Sequence, residues 1–110
     1  MIQVTYHRDY NRVTVKGHAG SDEPGKDLVC ASASILAYTL AANVANLEEQ
    51  GAVRDMTAEL REGDTEIACT PNRRNRAVIT LIFDTVCAGF ELLAKQYPQY
   101  ISYEIMGAQG

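Results

Sequence analysis

The chain has 110 residues, 46% of them hydrophobic and 22% charged, with ten basic and fourteen acidic side chains and a net charge of −4. That length favours one domain, residues 1–110, able to bury a core without a disulfide or metal staple. The acidic balance argues against a surface built to neutralise nucleic-acid phosphates, so no direct nucleic-acid binding is expected.

No apolar run reaches the ~18 residues of a membrane span. Met1 to Tyr10 alternates polar and apolar residues and has no signal-peptide core. No membrane partner and a cytoplasmic location are therefore expected. The three cysteines, Cys30, Cys69 and Cys87, include no C-x-x-C pair. This argues against a disulfide framework and a zinc site, and no metal or cofactor is expected.

Ile2, Val4 and Tyr6 alternate with Gln3 and Thr5, the period of a strand. Asp9 to Asn11 reads as a turn, and Val13 and Val15 as a second strand completing a β-hairpin. Gly17 to Lys26 holds three glycines and Pro24 without periodicity and reads as a loop. Val29, Ala33, Leu36, Leu40, Val44 and Leu47 then form the apolar stripe of a helix, with Asp27 as its N-cap and Gly51 beyond its end.

Thr57–Arg61 and Thr65–Thr70 are expected as short strands around a turn at Glu62 to Asp64. A second helix is expected from Arg73 to Gln96 and stopped by Pro98. Its core stripe is read as Val78, Leu81, Ile82, Thr85, Gly89, Leu92 and Leu93. A second stripe, Ile79, Phe83, Cys87 and Phe90, lies beside it and reads either as ordinary core or as surplus apolar surface that a partner copy covers. Arg73, Arg74 and Arg76 read as a solvated face, with RNA or acidic groups of a protein substrate as alternative contacts. Ile101, Tyr103 and Ile105 form a last strand. The order ββαββαβ predicts an α+β single domain: a mostly antiparallel sheet with both helices packed on one face.

The thiols differ in setting. Cys69 near a strand end and Cys87 in an apolar helix fit ordinary core positions. Cys30 falls at the third helical position if Asp27 is the cap, among unpaired amides and the positive end of the helix dipole, which favour a thiolate. The Asp27 carboxylate opposes this unless it caps the helix or holds a histidine.

His18, between Gly17 and Ala19 and followed by Gly20, stands at a strand end one loop away from Cys30. Its imidazole suits the base that pairs with a thiolate and protonates a leaving amine. First-turn amides, the N–H of Cys30 among them, are expected to hold an oxyanion. His7 in the first hairpin reads as structural. From spacing alone, a surface histidine and a partly buried helix cysteine stand as the alternative.

Gly17-His18-Ala19-Gly20, the loop Ser21 to Lys26, and Asp27-Leu28-Val29-Cys30-Ala31-Ser32-Ala33-Ser34 resemble the ribosomal-processing cysteine protease family, Prp. The resemblance implies a compact α/β homodimer. It also implies an endopeptidase that removes the N-terminal extension of a large-subunit ribosomal protein, the twenty-seventh in its series, during bacterial ribosome assembly. It places the catalytic pair on His18 and Cys30. Asp27, Ser34, Gly17, Ala19 and Gly20 become supporting or substrate-binding residues. The loop from Ala19 to Lys26 is expected to gate the site. The alternatives are a non-catalytic ribosome-associated binding domain of the same fold and a redox-sensing thiol protein.

Overall fold

A computed structural model describes residues 1–19 and 26–107. Two strands, β1 (Ile2–His7) and β2 (Arg12–Lys16), are joined through a single 3-10 turn, Arg8–Tyr10, closed by Asn11 in the left-handed region. Helix α1 (Lys26–Glu49) follows, then the hairpin β3 (Val53–Arg61) and β4 (Asp64–Pro71), helix α2 (Arg76–Gln96) and β5 (Ile101–Met106). The sheet order is β3-β4-β2-β1-β5. Only β1 and β5 pair in parallel; the other neighbours are antiparallel. The α+β, ββαββαβ reading therefore holds.

Strand alternation decides the layers. Ile2, Val4, Tyr6, Val13, Ile67 and Cys69 turn inward and are nearly inaccessible. Their outward neighbours carry charge: Arg12 bonds Glu66 and Lys16 bonds Asp64 across the β2–β4 pair. Both helices cover the inward face, α1 over β3 and β4, α2 over β5. Helix α1 approaches through small side chains, Ala33, Ala37 and Ala41, with Val29, Leu40 and Val44 between them. The helices meet where Leu36 fills the space left by Gly89; a Cβ there would lie 2.7 Å from a Leu36 methyl.

Four expectations change. Helix α1 starts at Lys26, so Asp27 lies inside the first turn and does not cap it. Strand β3 begins four positions early, at Val53, because a register shift between Arg54 and Thr57, with Asp55 at φ 53°, interrupts the alternation. On α2 the second stripe proves to be ordinary core, and most of the expected core stripe turns outward. Ile79, Phe83, Cys87, Phe90 and Leu93 are the core, and Phe83 stacks on Tyr6 at 6.2 Å. Val78, Leu81 and Leu92 are more than half exposed, as are Leu28, Ile35 and Tyr38 of α1. Finally, both helices have the length and apolar content of a membrane span. Each uses one apolar face against the sheet and leaves a second apolar face outward.

Candidate active site

Strand β2 ends at Lys16, opposite Asp64 at the start of β4. The exit of β2 and the turn between β3 and β4 therefore lie side by side. Gly17 turns the chain there with φ +89°; a Cβ would stand 2.4 Å from the Met1 carbonyl oxygen, which only glycine avoids. The Gly17 N–H donates to the Gly63 carbonyl at 2.9 Å. Ala19 is buried in the core at 4% exposure. His18 is thus held from both sides while its own side chain faces outward.

The first turns of α1 reach the same corner. Cys30, Ala33, Ser34, Ala37 and Tyr38 form one helical face, and that face is one wall of a cleft of about 270 Å³. His18, Gly17, Leu60, Arg61, Glu62, Gly63 and Thr65 line the rest, with Ile2 and Val15 at the base. The fold thus brings His18, Cys30, Ser34 and Gly17 together.

Asp27 is exposed in the first turn and is not part of the lining. Among the described residues it makes no hydrogen bond or ion pair, so it holds neither the helix end nor His18. Gly20 and most of the loop expected to gate the site lie outside the described residues. Cys30 is the fifth residue of a helix starting at Lys26, so its N–H pairs with the Lys26 carbonyl. The oxyanion role expected of the Cys30 N–H is therefore lost.

The other thiols stand apart from this chemistry. Burial pushes the Cys69 thiol up to about 11 and the Cys87 thiol up to about 12. Their residues are 3% and 1% exposed, whereas Cys30 is partly exposed on the cleft wall. No group of three or more His, Cys, Asp or Glu suited to a metal occurs among the described residues.

Arg73, Arg74 and Arg76 sit at the far end of β4, after Pro71, where they border concavities shared with Arg8, Asp84, Tyr10 and Arg54. They are a strand length from Cys30 and form no part of its cleft.

A sequence model described as Cysteine protease Prp matches residues 1–102. The chain belongs to the Prp family. It is a cysteine protease of the ribosomal-processing class. A Streptococcus mutans protein of known structure is 28% identical, with a TM-score of 0.68 over 96% of this chain and 94% of that one. A Staphylococcus aureus ribosomal processing protease Prp bearing a covalently linked product peptide is 22% identical. Its TM-score is 0.69 over 96% of this chain and 97% of that one. The same S. aureus protease with a substrate peptide gives 19% identity, a TM-score of 0.68 and the same coverage. At those identities the S. aureus structures establish the fold. No curated protein matches the chain.

Sequence reasoning missed most of the cleft beyond Gly17, His18, Cys30 and Ser34. Tyr38 repeats the Cys30–Ser34 spacing by one more turn and was readable from it. Gly63 was not, because only the β2–β4 register brings the hairpin turn against His18.

Proposed function

We propose that Cys30 is the nucleophile and His18 the acid–base partner of this protease, within a single catalytic domain spanning residues 1–110. The observation that carries it is that the β2 exit and the α1 start deliver His18 and Cys30 into one cleft. The Cys30 thiolate attacks a peptide carbonyl carbon. The tetrahedral adduct collapses to a thioester as the C–N bond breaks, and His18 gives its proton to the leaving amine. Water, deprotonated by His18, then hydrolyses the thioester and frees the thiolate.

The cleft suits an extended peptide. One side is the α1 face bearing Ser34 and Tyr38; the other is the end of β3 and its turn. The Ser34 hydroxyl has no partner among the described residues, and it contacts the substrate backbone. Tyr38 and Leu60, both exposed, offer apolar contacts to substrate side chains.

The substrate in this reading is the precursor of the twenty-seventh large-subunit ribosomal protein, shortened at its N-terminus in the cytoplasm before or during ribosome assembly. The support is the family and the S. aureus relative, whose name records ribosomal processing. The protein works as a homodimer. The outward apolar faces of α1 and α2, with Ile35 and Leu92 side by side, are the surface a second copy covers.

The test is incubation with the ribosomal precursor from the same organism, followed by mass spectrometry. The reading expects one internal cut that frees the N-terminal extension. A precursor that binds and stays intact supports the non-catalytic binding domain instead.

A further inference from the structure

The β3–β4 turn is Glu62–Gly63, with Gly63 at φ +72°. A Cβ built on Gly63 would lie 2.6 Å from His18 Nε2, 2.8 Å from Cε1 and 3.4 Å from Cδ2. The Gly63 Cα is therefore the floor on which the imidazole rests, nearest at the ring atoms that lead to Nε2. The same residue's carbonyl holds the Gly17 N–H, so one glycine fixes both the backbone before His18 and the position of its ring. His18 is exposed and has no hydrogen bond or ion pair to a described side chain. Contact with Gly63 is thus a main determinant of where the ring stands.

We propose that Gly63 is a positioning residue for His18, and that the bare face of the β3–β4 turn sets the imidazole's distance from the Cys30 sulfur. The inference rests on the reading of His18 as the partner of Cys30. Any side chain at residue 63 pushes the ring by about 1 Å, since non-bonded heavy atoms settle near 3.5–4.0 Å. The ring is the free end of an exposed side chain, so it yields at little cost in stability. A displacement of that size costs roughly 100-fold in turnover when it misplaces a reacting group.

A substitution at Gly63 also meets a positive φ, which by itself destabilises. The molecule supplies a control. Gly51 has φ +77° and nothing within 4 Å of a Cβ, so Gly51→Ala carries the backbone penalty without the contact. Gly63→Asn is the second variant, because Asn tolerates the left-handed region while still placing a Cβ against the ring.

The experiment follows the rate of Cys30 alkylation by iodoacetamide at neutral pH, with kcat and KM for a substrate peptide. It uses the wild type, His18→Ala, Gly63→Ala, Gly63→Asn and Gly51→Ala. His18→Ala should slow the alkylation, because an imidazole partner favours the thiolate. Both Gly63 variants should slow it as well and lose about 100-fold in kcat with KM within about twofold. Gly51→Ala should match the wild type in both readouts. An unchanged rate in His18→Ala removes the pairing on which the inference rests. A slowed reaction in His18→Ala, with wild-type alkylation rates and kcat in both Gly63 variants, overturns the positioning role alone.

Discussion

Cys30, Cys69 and Cys87 share one chemistry and differ in what surrounds them. The motif from Gly17 to Ser34 singled out Cys30 and His18 as the candidate pair before any fold was known, because both stand in the one short stretch that carries the family resemblance. Asp84 was not legible. It lies far along the chain from its partners and is defined only by packing. It accepts from the buried Tyr6 hydroxyl at 2.7 Å and from Arg8 Nε and Nη2, each at 3.0 Å. The Arg8 guanidinium, aided by Tyr6, holds its carboxyl below the usual carboxylate range.

Asp84→Ala leaves the Tyr6 hydroxyl buried without its acceptor. It should lower stability by about 1–3 kcal/mol in urea unfolding. A carboxylate with a depressed folded value stabilises above its unfolded value near 4 and loses that contribution as pH falls through the folded value. The wild type should therefore lose its advantage over Asp84→Ala as pH falls below about 4. The effect is modest because the Asp84 side chain is about one-third exposed. A constant gap across that range would contradict the ion-pair account.

Elements were legible where one periodicity ran unbroken. Helix α1 kept its stripe, and β1, β2 and β5 kept their alternation. The start of β3 was hidden by the bulge near Asp55, which puts consecutive residues out of phase. On α2, two adjacent apolar stripes have the same spacing, and hydrophobicity alone does not say which faces the sheet. The large rings of Phe83 and Phe90 fill the core, and Val78, Leu81 and Leu92 are left outside.

Gly89 shows a choice made by packing against local preference. Alanine is the better helix former by about 1 kcal/mol. Here its methyl would meet Leu36, and overpacking costs about 1–3 kcal/mol. Gly89→Ala should therefore be net destabilising in urea melts. In a Leu36→Ala background the sign should reverse, to about 1 kcal/mol stabilising. Additive effects in that double-mutant cycle would show that the helices do not compete for this space.

For the molecule as a whole, the sheet and its helix layer place the candidate site at one end of β4 and the arginines at the other. The α+β order was readable from element spacing, but the parallel β1–β5 pair was not, since it joins the first and last strands. The helix layer turns an apolar outer face to solvent, the face a second copy is proposed to cover. Light scattering at micromolar concentration should give a dimer mass, and Leu92→Glu with Ile35→Glu should give a monomer. A wild-type monomer would remove the dimer. The central claim is that Cys30 is the nucleophile, and cleavage of the ribosomal precursor by folded single-cysteine variants tests it most directly. Cys30→Ala should abolish cleavage, while Cys69→Ala and Cys87→Ala, measured under conditions where each remains folded, should keep most of it. Full activity in a folded Cys30→Ala protein would contradict the mechanism.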